Sequence, residues 1–259
     1  MSVIREYISK CNSIMETISK QEMEIGMAAQ WFSQTILKGR MVHVFGSGHS
    51  RIMVEEMWPR YGSFPGFNPI VELSLTFHNL VVGANGQRQA MFLENVSGLA
   101  ERILRNYDVS PDDTALVISS SGCNVVPIEM AELFQKKNVK VVSIITKEHS
   151  LHNISKRPDG KKLGDFSDLI LDTGAPNGDS MINIPELTTP VSPGSTVGGV
   201  MIINSIKAEV ARLLTGAGSP PTVLTSASIV GKEKAVELFE AAYDEHAHRL
   251  AKLYEKVGR

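Results

Sequence analysis

The sequence predicts an α/β fold, a mainly parallel sheet with helices on both faces. Three observations predict it. Short apolar runs of strand type alternate with longer stretches of helical periodicity, which is the pattern of a parallel sheet. Two of those runs end in Gly/Ser-rich turns that lead directly into helices. The chain has 259 residues, 42% of them hydrophobic, enough to bury the core of one large α/β domain or two small ones.

Residues 2–38 read as helix. Ile4, Ile8, Cys11, Met15 and Ile18 recur at spacings of three or four and form one apolar stripe. Ile25 to Leu37 adds Trp31, Phe32 and Ile36, with a break expected at Gly26 and a C-terminal cap at Gly39. Met41–Phe45 is a buried-type strand, followed by GSGHS and a helix over 51–58 that stops before Pro59. Phe67–Glu72 reads as a second strand and 96–106 as helix, while 73–95 shows no decisive period. Ala115–Ser119 is a strand. A helix from Asn124 to Lys137 follows, with Pro127 tolerated in its first turn. Val139–Ile145 and Asp168–Asp172 are further strands. Residues 173–194, rich in Pro, Gly and Asn, form a long connection of the functional or mobile kind. Ser195 or Thr196 caps a helix to about Thr215, and a last helix covers 233–256. The expected division is a helical segment 1–38, a central domain 39–220, and a helical segment 221–259 that packs on the same domain or on a partner subunit.

Composition excludes several classes. The net charge of −2 and the lack of a basic block leave no nucleic-acid footprint. No apolar run is long enough to span a bilayer, and no signal-peptide pattern opens the chain. Cys11 and Cys123 make no disulfide framework, so a reducing cytoplasm is the expected compartment.

Ligands of parallel sheets bind at the carboxyl ends of strands, and both Gly/Ser turns lie there. The stronger is Ser119-Ser120-Ser121-Gly122-Cys123-Asn124. A helix N-terminus offers unpaired N–H groups and partial positive charge. Gly122 lets the backbone approach a ligand. The hydroxyls of Ser119 and Ser121 and the amide of Asn124 can donate to a tetrahedral anion. The loop has no Lys or Arg, so its grip rests on neutral donors. The plainer reading is an ordinary Ser/Gly turn with a cap. The second loop, Gly46-Ser47-Gly48-His49-Ser50, opens like a dinucleotide fingerprint, but Arg51 stands where that pattern wants a third glycine.

Together the loops resemble the SIS (sugar isomerase) family of phosphosugar-binding domains. VHVFGSGHSRIMVEE resembles its strand–GxGxS–helix motif. LVISSSGCNVVPIEMAELFQKKNVKVVSIIT resembles its strand–SxSGxT–helix–strand motif, with Asn124 where threonine is commoner. The resemblance spans roughly residues 35–215. GHSxxxxEE, RPDGKKLGDFSDLILDTGAPNGD and PVSPGSTV are similar to the UPF0309 branch, with relatives named phosphoheptose isomerase. The resemblance implies a three-layer αβα sandwich with five parallel strands and a homodimer or homotetramer whose sites often borrow a residue from a neighbouring subunit. It implies phosphate on Ser119, Ser121 and Asn124, with Ser50 and the Gly46–Gly48 backbone, Ser47 included, lining the sugar. Ser120, Gly122 and Ser195 complete the expected binding set.

Aldose–ketose isomerisation needs a base to move a proton between C1 and C2 and no cofactor. In resembling isomerases a glutamate on or near the first-motif helix serves, which points to Glu55 or Glu56. These two project about 100° apart on a helix, so one of them faces the cleft. Glu94, at the start of a helix, is a second carboxylate candidate, and His49 a candidate for ring opening. The plainer reading makes all three carboxylates solvated helix acids. His78 falls in the undecided segment. His149, His152, Lys156 and Arg157 follow the fourth strand, as a cleft wall or a solvated loop. His246 and His248, two apart on a helix, diverge, and no metal site is expected. Cys123 at a helix start is read as packing before reactivity.

Three functions fit: an isomerase, a lyase or etherase of the N-acetylmuramic acid 6-phosphate type, and a non-catalytic sugar-phosphate sensor. Residues 1–38, with four basic and four acidic side chains, are too short for a DNA-binding domain plus linker.

Overall fold

In the computed structural model, which describes residues 2–76 and 87–255, five parallel strands form the central layer. These are β1 (Val42–Gly46), β2 (Phe67–Ile70), β3 (Thr114–Ile118), β4 (Lys140–Ile145) and β5 (Leu169–Asp172), in the order β2-β1-β3-β4-β5. Register runs Val42 beside Phe67 and Thr114, Thr114 beside Lys140, and Val142 beside Leu169. Val/Ile-rich runs buried on both faces make such strands, and β1 and β3 are buried throughout.

Alternate residues feed two cores. Val42, Val44, Leu116, Ile118, Val142, Ile144 and Leu171 pack on one face against α1 (Val3–Ser19), α2 (Glu22–Leu37), α3 (Arg51–Met57) and α9 (Ser195–Gly216). Phe45, Ala115, Val117, Val141 and Ile145 point the other way, against α6 (Leu99–Leu104) and α7 (Val125–Lys136). The fold is therefore a three-layer αβα sandwich. The period-2 side-chain rule delivers one strand's residues to both helical layers.

The N-terminal helices contribute to the main core, with Ile14, Ile18, Ala28, Ala29 and Phe32 almost fully buried. The break between them falls at Lys20–Gln21, not at Gly26, which lies inside α2. Tertiary anchoring explains the position. Gln21 Nε2 donates to the Asp172 carbonyl at 2.8 Å, and its Oε1 accepts the Asp172 N–H at 2.7 Å. Gly39 does close α2, with φ +72°.

The stretch 73–95 contains α4 (Leu73–Thr76) and α5 (Gln87–Leu93), and His78 lies outside the described residues. The polar stretch after β4 is a short helix, α8 (Lys147–His152). The long connection 173–194 carries an antiparallel pair, β6 (Ser180–Ile182) and β7 (Val191–Pro193). A short helix, α10 (Ala227–Val230), precedes α11 (Lys232–Tyr254), which buries Ala242 and Leu253. The Trp58 ring lies 5.5 Å from Tyr243 and 5.1 Å from His246, so α11 packs against the residue that ends α3. Among the described residues no helix is long and apolar enough to cross a membrane.

Candidate functional site

Strand order reverses between β1 and β3, and at such a switch point loops diverge to opposite faces and leave a crevice. There the structure holds a cavity of about 590 Å³, lined by parts of both Gly/Ser loops. Gly46 shapes the first loop, because a Cβ there would lie 2.7 Å from the Ser50 carbonyl oxygen. Ser47, Gly48, His49 and Ser50 all face the cavity.

In the second loop, Ser119, Ser120, Ser121 and Asn124 line the cavity. Ser119 Oγ accepts the Gly122 N–H and Ser121 Oγ accepts the Cys123 N–H, both at 3.2 Å. A hydroxyl whose oxygen is held by a backbone donor has its own proton left to give. The loop thus prepares two serines as donors. Ser120 Oγ sits 3.2 Å from Thr146 Oγ1, which lies 2.7 Å from Thr173 Oγ1, tying this loop to the ends of β4 and β5. Gly122, with φ +62°, makes the turn. The helix N-terminus is partly occupied: the Val126 N–H donates to the Glu94 carbonyl at 2.9 Å, and Pro127 has no N–H.

Glu94 bridges the two loops. Its Oε2 accepts from Ser47 Oγ at 2.9 Å and its Oε1 from Asn124 Nδ2 at 2.7 Å. Burial pushes its pKa above the ordinary glutamate value, against the Ser47 hydrogen bond and the charge of Lys156. The carboxylate is half-buried, faces the cavity and has no ion-pair partner among the described residues.

The opposite wall comes from α8, the 173–194 connection and the start of α9. Asp179, at φ +69°, accepts the Gly194 and Ser195 N–H groups on Oδ1 at 3.0 and 2.7 Å and the Ser195 hydroxyl on Oδ2 at 2.8 Å. It caps α9 from outside the helix, and Ser195 lines the cavity with its hydroxyl already donated. Gly198 permits α9 to approach, since a Cβ there would lie 2.0 Å from the Thr173 carbonyl oxygen.

Glu55 and Glu56 are not brought to this cavity. Glu55 is exposed, 3.6 Å from Arg51. Glu56 turns to the other side of α3, where Arg60 at 2.5 Å and Asn204 at 2.8 Å hold it beside the buried Lys207. Its pKa is below the usual range because these partners outweigh burial. The helix after the first loop therefore spends both acids elsewhere, on α3's own surface and on α9. His149 lines the cavity and His152 does not. Arg157 is paired with Glu132 and Asp159. The Cys123 thiol is raised by burial, against the charges of Lys162 and Lys156, which leaves it protonated and packed. No metal-ligating cluster occurs among the described residues. Asp179 was not signalled by local sequence pattern; only its fit to a left-handed backbone position hints at it.

Comparison with known proteins decides the family. The SIS domain model matches residues 6–146. The chain belongs to the SIS-domain family. It is 31% identical over 233 residues to a UPF0309 protein of Geobacillus kaustophilus, covering 90% of each chain. With a UPF0309 protein of Oceanobacillus iheyensis it shares 30% over 247 residues, 95% of this chain and 98% of the relative. This SIS protein also superimposes on a phosphoheptose isomerase from Francisella tularensis with a TM-score of 0.51, 14% identity, and coverage of 81% of this chain and 96% of that one. That similarity shows a shared fold.

Proposed function

We propose that this SIS protein is a sugar-phosphate isomerase in which Glu94 is the base. One observation carries the reading: a half-buried carboxylate, raised in pKa by burial, hangs between the two ligand loops on the neutral donors Ser47 and Asn124. The phosphate sits on the Ser119–Asn124 loop, whose residues Ser119, Ser120, Ser121 and Asn124 line the cavity. Anchoring this end orients the reacting carbons. Glu94 then takes the proton from C2 of the open-chain aldose as O1 gains one, giving the enediol, and returns a proton to C1 as O2 gives its own up. A carboxylate raised by burial accepts a proton more readily than an ordinary one. His49, exposed and lining the same cavity, serves to open the ring in this reading. The chemistry uses no cofactor. Two cysteines, Cys11 and Cys123, both free thiols, suit a reducing cytoplasm, and the family resemblance suits a homodimer or homotetramer.

The test is proton exchange. Purified protein is incubated in D₂O with hexose, heptose and amino-sugar phosphates, and product mass is followed together with deuteration at C1 of the ketose and at C2 of the re-formed aldose. Deuterium incorporation without other mass change, reduced about 10²–10⁴-fold in Glu94→Gln with phosphate affinity retained, is the expected result. Loss of an ether substituent would replace isomerisation by cleavage. Binding without exchange or cleavage would leave a sensor.

A further inference from the structure

The cavity contains a contradiction of charge. Its described lining includes two carboxylates, Glu94 and Asp179, and no Lys or Arg. A phosphate dianion placed there gains from each further donor that faces the cavity. Histidines 49 and 149 are the described lining side chains able to carry positive charge.

His149 is held in a way that decides which nitrogen faces the ligand. The Gly178 backbone N–H, which can only donate, meets Nδ1 at 3.0 Å, and Asn153 Nδ2 lies 3.1 Å from the same atom. In the neutral ring Nδ1 therefore accepts and the proton resides on Nε2. Asn177 Oδ1 also lies 3.1 Å from Nδ1. In that tautomer Nε2 is the nitrogen that can donate. The ring stands one turn into α8, directly after Thr146, the residue bonded to Ser120 of the phosphate loop. It thus flanks that loop on the β4 side, as Glu94 flanks it on the β1 side.

We infer that His149 Nε2–H is a further donor to the ligand's phosphate, held in that orientation by Gly178, Asn153 and Asn177. This rests on the placement of phosphate at the Ser119–Asn124 loop. It assigns the grip on the dianion to two neighbouring strand ends, one supplying hydroxyls and amides and the other an imidazole. It also gives the 173–194 connection a task, since Asn177 and Gly178 belong to it.

The experiment is calorimetry of the full chain with inorganic phosphate and with a hexose 6-phosphate, alongside the unphosphorylated hexose. His149→Phe is expected to weaken both phosphate ligands about tenfold or more, the range for a hydrogen bond to a charged group. His149→Gln, whose amide can reach the Nε2 position, is expected to recover most of that affinity. Unchanged affinity in His149→Phe while Ser121→Ala weakens binding would overturn the inference and leave the phosphate loop standing. Unchanged affinity in both variants would remove phosphate from the loop itself. Lost turnover at unchanged phosphate affinity would assign His149 to the sugar carbons and overturn the inference as well. Should His149→Phe fail to fold, ¹⁵N-histidine spectra of the wild-type chain serve: the His149 resonances must report an Nε2–H ring and must shift on adding phosphate. A ring protonated at Nδ1 alone, or insensitive to phosphate, would equally end the proposal.

Discussion

At the amino ends of the strands a carboxylate and a histidine are closed into the structure, while at the carboxyl ends a similar pair is left facing a cavity. Asp113 precedes β3 and is almost fully buried. Arg40 grips both its oxygens at 2.7 and 2.8 Å, the Ser110 N–H adds a bond at 2.8 Å, and His43 Nε2 approaches at 3.2 Å. Asn68 donates to His43 Nδ1 at 3.0 Å and so sets its tautomer. Glu94 and His149 at the other end have the same parts in reverse account. Each is positioned by neutral neighbours, yet among the described residues Glu94 has no ion-pair partner and the hydrogen bonds of the His149 ring fall on Nδ1. Complete satisfaction makes a polar group structural. The incomplete set at the carboxyl ends is what a ligand can finish.

The largest effect that would test this contrast is on stability. Asp113→Ala strands the Arg40 guanidinium and should destabilise the fold by about 3–5 kcal/mol, the range for removing one partner of a buried pair. Urea unfolding measures it, and phosphate affinity of the folded fraction should stay within about threefold of wild type. A variant of normal stability would mean that the amino-end network is not closed in the sense argued. The counterpart, Ser121→Ala, should leave stability nearly intact and weaken sugar-phosphate binding by about 1.5–3 kcal/mol. Calorimetry reads that directly, and an unfolding midpoint shifted instead of Kd would place Ser121 with the structural groups.

How much of this was legible in the sequence follows the same division. The strands and both loops are local: a buried apolar run ends in Gly and Ser, and a helix follows. β1, β3, β4 and β5 accordingly lie within a residue or two of where periodicity puts them. Glu94 is not local. Its role depends on Ser47, 47 residues before it, and Asn124, 30 after, and the segment that carries it shows no clean period. Glu55 and Glu56 attract a reading as the base because they follow the first loop, and only tertiary contacts with Arg51, Arg60 and Asn204 show them engaged elsewhere. The 173–194 connection is similar. Its length marks it as functional, but that Asp179 would cap α9 and Gly178 would orient His149 depends on contacts made across 16 and 29 residues.

The smallest effect is the most discriminating, because the two carboxylates must respond to pH with opposite sign. Asp113 is buried, but bonds from His43 and Arg40 hold its pKa below the ordinary aspartate value. Its contribution is therefore fully present above the unfolded value, about 3.9, and is lost as pH falls through the lower folded value. Glu94 is raised by burial, so the folded state favours its protonated form. Its contribution is present below the unfolded value, about 4.3, and is lost as pH rises through the higher folded value. Stability of wild type relative to Glu94→Gln should thus decline on going from acid toward neutral pH, and stability relative to Asp113→Asn should rise over the acid range. Paired urea titrations at several pH values measure both. Parallel slopes would show that Glu94 is held by its neighbours as firmly as Asp113, and the carboxylate between the loops would then belong to the scaffold and not to the reaction.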